Sequence, residues 1–81
     1  ESGDGRYDIQ LKPTQKGLPG ILIELKAEKN CSDEKLKKLS ETALQQINDK
    51  KYETELTTAG VRTIYKYGVA FSGKKVEVTV G

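Results

Sequence analysis

The sequence contains no histidine. That absence removes the Ser-His-Asp triad, the Cys-His pair, the histidine-ligated metal and the histidine general base. Its single cysteine, Cys31, allows neither an internal disulfide nor a cysteine-built zinc site. One unpaired thiol suits a reducing, cytoplasmic setting. Long apolar runs are missing too, as is a secretory signal pattern, so neither a transmembrane helix nor export is expected. An excess of one sign of charge is nearly absent: 14 Lys and Arg face 12 Asp and Glu, for a net +2. That balance permits contacts with a phosphate backbone without arguing for them. Any chemistry must rest on carboxylates, lysine, tyrosine or a metal held by oxygen.

What is present fits one domain of 81 residues. Residues 1–5 are polar and glycine-rich, and are expected to be a frayed terminus. From Arg6 to Leu11, Tyr7, Ile9 and Leu11 alternate with Arg6, Asp8 and Gln10, the period of a strand. Lys12 to Gly20 holds both prolines and reads as a connection. Ile21 to Lys26 is a second strand, apolar on both faces at its start, with Leu22, Glu24 and Lys26 on one face. Ser32 is placed to cap a helix, with Asp33 and Glu34 in its first turn. Leu36, Leu39, Ala43, Leu44 and Ile47 give that helix an apolar stripe and predict an end near Lys50 or Lys51. Thr57 to Gly60 reads as a loop, Thr63 to Phe71 as a strand, Ser72-Gly73 as a tight turn, and Val76, Val78 and Val80 as a closing edge strand.

Acid and lysine inside otherwise apolar strands carry the chemical interest, because a buried charge must be paired or must hold a metal. If the first two strands pair, Asp8, Glu24 and Lys26 share one sheet face. Two carboxylates and a backbone carbonyl make the hard oxygen site that Mg²⁺ prefers, and a lysine beside it can offset charge on a phosphate. Acid-x-Lys spacing recurs at Asp33/Lys35 and Asp49/Lys51, so the apolar strand around Glu24 carries more weight than the spacing. Plainer readings stand beside this one: a solvent-facing Asp8, an ordinary Glu24–Lys26 ion pair, Gln46 at the edge of the helix stripe, and Tyr52 as a packing residue. Lys35, Lys37, Lys38, Lys50 and Lys51 read as a solvated helix face, Lys74 and Lys75 as edge protection, and Cys31 as inert.

The run from Gly5-Arg6-Tyr7-Asp8-Ile9 through Pro19-Gly20-Ile21-Leu22-Ile23-Glu24-Leu25-Lys26 resembles the D…(D/E)xK signature of the PD-(D/E)XK nuclease superfamily. Ala43-Leu44-Gln45-Gln46-Ile47, Lys51-Tyr52 and Tyr67 to Lys75 extend the resemblance, which is similar to the nuclease-like domain at the C-terminus of bacterial AAA-ATPase-like proteins. The resemblance implies that Asp8 and Glu24 ligate Mg²⁺ or Mn²⁺ with the carbonyl of Leu25. It also implies that Lys26 positions the attacking water, and that Gln46, with Tyr52 nearby, supports the site. The sequence departs from the superfamily pattern in lacking the helix and strand that usually precede the Asp strand.

Residues and resemblance together predict an α+β domain over residues 1–81, with a mixed four-stranded sheet, one helix on a face and β-β-α-β-β order. The expected form is a truncated restriction-endonuclease-like core, either excised from the C-terminus of a longer protein or pared down. The strands flanking the helix are expected to run parallel. The expected activity is metal-dependent hydrolysis of DNA phosphodiesters. The alternative is an inactive module of the same fold that binds nucleic acid or a partner protein. The sheet face away from the helix is left for an AAA-ATPase-like domain of the same chain, another partner, or a second copy in a homodimer.

Overall fold

A computed structural model describes residues 6–13, 15–49 and 52–81, with the side chains of residues 6–8 and 52 outside that description. The elements run β1 (Arg6–Leu11), β2 (Gly20–Ala27), α1 (Asp33–Asp49), α2 (Tyr52–Thr58), β3 (Ile64–Ser72) and β4 (Lys75–Val80). They form one four-stranded sheet in the order β1-β2-β3-β4. β1 and β2 pair antiparallel, β2 and β3 parallel, and β3 and β4 antiparallel. The predicted mixed α+β sheet and its parallel central pair are therefore present.

Local chemistry sets the element ends. Asn30 adopts a left-handed φ of 56°, which its short polar side chain tolerates. The chain then turns into α1, where Ser32 Oγ accepts a hydrogen bond from the Lys35 amide at 3.1 Å and the Ser32 carbonyl accepts from Leu36 at 2.9 Å. These bonds satisfy first-turn amides, as a cap must. Gly73, at φ 60°, opens the two-residue turn between Ser72 and Lys75, where glycine carries no Cβ penalty.

One difference from the sequence pattern is the second helix. α2 is short and polar and lacks a repeating apolar stripe, so propensity alone does not mark it. Tertiary contacts hold it: Leu56 is buried against Leu22 and Ile47, and Glu53 accepts from Lys66 Nζ at 3.0 Å. Lys66 also donates to Asn48 Oδ1 at 3.1 Å, so one lysine of β3 ties down the end of α1 and the start of α2. The expected end of the first helix at Lys50 or Lys51, and the frayed terminus at residues 1–5, lie outside the described residues.

α1 lies across β2, β3 and β4, while β1 stands at the sheet edge with β2 as its strand neighbour. The apolar core on this side falls into two clusters. Leu22, Ile47 and Leu56 form one, with Leu44, Val61 and Ile64 packed on it. Cys31, Leu36 and Ala70 form the other, with Leu39. The opposite face has no covering element among the described residues. Strand register puts Ile9 and Leu11, Ile21, Ile23 and Leu25, then Tyr65, Tyr67, Val69 and Phe71, and finally Val76, Val78 and Val80 on it. Among the described residues, no helix is long and apolar enough to cross a membrane.

Candidate functional site

The two core clusters are separated by a polar row. Register sets Asp8 opposite Glu24, Glu24 beside Gly68, and Gly68 opposite Thr79. All four stand on the helix side of the sheet, one in each strand. Glu24 is fully buried, at 0% exposure, and is engaged rather than unpartnered. A carboxylate at that depth is costly unless other groups compensate its charge.

Gly68 explains how Glu24 comes to be buried. α1 rests on the sheet at this point. A Cβ added to Gly68 would sit 2.2 Å from the Ser40 carbonyl oxygen and 2.5 Å from the Leu44 amide nitrogen. Helix backbone and strand backbone therefore meet where only hydrogen fits, and the helix closes over the neighbouring strand. Ser40 is itself buried. Its hydroxyl donates to Lys37 O and is hydrogen-bonded to Thr79 Oγ1, where either oxygen can be the donor, each at 2.7 Å. The row thus continues upward into the helix.

Lys26 follows Glu24 by two positions in β2, so it takes the same face about 7 Å along the strand. It is half-buried and paired in register with position 6 of β1 and with Ala70. Its ammonium enters none of the ion pairs formed among the described residues. Leu25 turns its half-buried side chain to the opposite face, and only its backbone belongs with the site. Asp8 is placed by its backbone directly opposite Glu24, where Cα atoms of an antiparallel pair lie about 4.5–5.5 Å apart. Its side chain, like that of Tyr52, lies outside the described residues.

Gln46 is the second unusual side chain. On α1, Leu44 marks one flank of the buried stripe and packs over Gly68 and Gly81. Gln46 sits about 160° round the helix from it, on the opposite flank. Its Oε1 is buried and accepts no hydrogen bond among the described residues. An orphaned acceptor of that kind calls for an explanation.

The candidate donors are all oxygens: the Glu24 carboxylate, the acid that register sets opposite it at position 8, the Leu25 carbonyl and the Gln46 amide oxygen. This hard set suits Mg²⁺ or Mn²⁺ rather than zinc or copper. Among the described residues, no group of three or more His, Cys, Asp or Glu side chains gathers. A divalent ion would thus rely on two acids and neutral oxygens. Sequence reasoning singled out Asp8, Glu24, Lys26 and Gln46, but missed Gly68, Ser40 and Thr79. The glycine in mid-strand was the available signal, because it marks a close backbone approach.

The remaining charged groups are peripheral. Lys35 pairs with Glu28 at the start of α1. Lys75 bonds Cys31 O and Asp33 Oδ1, each at 3.1 Å, which joins the β4 edge to the helix start. Cys31 is buried, and its amide donates to Ser72 Oγ. An open depression lined by Glu53, Thr57, Gly60, Val61, Arg62 and Ile64 includes none of the candidate site residues.

Residues 1–80 match the sequence model of the PD-(D/E)XK nuclease superfamily. No curated protein and no solved structure matches the chain significantly.

Proposed function

The chain belongs to the PD-(D/E)XK nuclease superfamily, and from that premise we propose that it is a divalent-metal-dependent phosphodiesterase domain acting on DNA. The observation that carries this reading is the row across the sheet. It sets Asp8 opposite Glu24 on the face that also bears Lys26, with the unpartnered Gln46 oxygen on the helix above.

In this reading Asp8 and Glu24, with the Leu25 carbonyl, hold the ion. When bound, the ion supplies Lewis-acid polarisation and lowers the pKa of water. Lys26 holds its positive charge beside the scissile phosphate and offsets the charge that builds up during attack. Gln46 orients a water through its free oxygen, which accepts a proton-bearing partner that no described residue provides. The shallow +2 net charge leaves DNA affinity to this site and its rim rather than to the general field of the protein.

A second reading has its own observation. Glu24 is completely shielded and already engaged, as expected if the acids survive as a structural network in an inactive module that binds nucleic acid or a partner protein. An AAA-ATPase-like domain in the same chain would be such a partner.

Nicking of supercoiled plasmid by the chain, with Mg²⁺ or Mn²⁺ against EDTA, separates the two. Cleavage that requires the metal and disappears in both Lys26→Ala and Glu24→Gln supports the nuclease. Absence of cleavage, with no Mn²⁺ broadening of backbone signals at positions 8 and 24, overturns it. DNA binding that persists without metal then favours the second reading.

A further inference from the structure

We propose that the uncovered sheet face is the interface through which two copies of this chain associate back to back. The face is apolar at each described position that register assigns to it from Ile9 through Val80, with no charged residue interrupting it. Its side chains are open to solvent: Leu11, Tyr65, Phe71, Val76, Val78 and Val80 are 41–65% exposed. The exposed large hydrophobics outnumber the large hydrophobic side chains buried beneath α1. Soluble monomers rarely expose a contiguous patch of this kind.

The size of the face points to a second copy as occupant. The fractional exposures correspond to on the order of 700 Å² of accessible surface, close to the roughly 800 Å² that each partner buries in a standard interface. Two such sheets stack about 10 Å apart and interdigitate their inner side chains, as in a sandwich. A nucleic-acid ligand fits poorly, for the face offers aromatic rings but no cation to meet phosphates. Since the polar row lies on the helix side, association through this face leaves both candidate sites on outer surfaces, turned away from each other.

Sedimentation equilibrium of the 81-residue chain from 1 to 100 μM tests the proposal. The expected result is a mass twice the 9.0 kDa of the chain, falling to the single-chain mass in Val78→Lys while far-UV circular dichroism is unchanged. In a sample mixing two isotope labels, β4 valine methyls should give intermolecular contacts to the sheet residues of the other copy. A single-chain mass across the whole range overturns the proposal and assigns the face to another segment or partner. A double mass that survives Val78→Lys, or intermolecular contacts that map to α1, overturns it as well. If Val78→Lys loses its fold, the mixed-label contacts of the unmodified chain decide.

Discussion

Replacing Gly68 with alanine tests how the helix is seated over the site. The added methyl carbon would stand 2.2 Å from the Ser40 oxygen, 2.5 Å from the Leu44 nitrogen and 3.0 Å from the Leu44 Cα, where ordinary contact begins at 3.4 Å. All three obstacles are backbone, so no side chain can swing aside. α1 must lift by about 1 Å, which opens gaps over Leu36, Ala43 and Ile47 and strains the Ser40–Thr79 bond. Overpacking of this kind costs about 1–3 kcal/mol, and backbone obstruction argues for the upper end. Reduced freedom of the unfolded chain returns about 0.5–1 kcal/mol. The expected net loss is about 2 kcal/mol, from a total of about 4–12 kcal/mol for a domain of this length. Urea denaturation followed by circular dichroism reads it directly. Gly17→Ala, where no atom lies within 4 Å but φ is +88°, serves as the comparison for purely conformational strain. A change below about 0.5 kcal/mol in Gly68→Ala, or a stabilisation, would refute the claim that α1 is held at contact distance here.

Two further outcomes are expected. Gln46→Leu removes a buried oxygen that accepts no bond among the described residues, so stability should hold or rise by about 1 kcal/mol. The upward shift of Tm by Mn²⁺ should shrink, and a clear destabilisation in thermal melts would show that the oxygen has a partner. The Glu28–Lys35 pair should give a salt-sensitive stability plateau. The hydrogen bond from Lys35, and then its charge, hold the Glu28 carboxyl below its ordinary 4.5, while the same contacts hold the Lys35 ammonium above its ordinary 10.5. The contribution of Glu28 is therefore intact above 4.5 and is lost as pH falls through the lowered value. That of Lys35 is intact below 10.5 and is lost as pH rises through the raised one. Melts of Glu28→Gln against the parent at low salt should differ between those limits and converge well below pH 4.5. A difference that persists in molar salt would contradict a surface pairing.

Much of this architecture can be read without coordinates because its signals are local. Alternation in Arg6 to Leu11 and in Val76 to Val80, the cap at Ser32 and the glycine of the Ser72-Gly73 turn each act within a few residues. The faces of β2 follow from strand period alone, so Glu24 and Lys26 could be paired on one side before any register was known. α2 escaped because its helicity depends on Leu56 and Lys66 contacts that no local pattern encodes. The row through Asp8, Glu24, Gly68 and Thr79 escaped for a related reason. It exists only once three strand registers are fixed, and Ser40 and Thr79 look like ordinary surface residues in the sequence. The burial of Glu24 is a product of that register and of the helix above it.

The position of β1 outside the shadow of α1 has a consequence for heat and denaturant. Half of the acid pair is carried on a rim strand that can peel away while the helix, the central strands and both oily clusters stay assembled. Competence at the site would then fail earlier than global structure, and two midpoints would appear where a single-probe melt reports one.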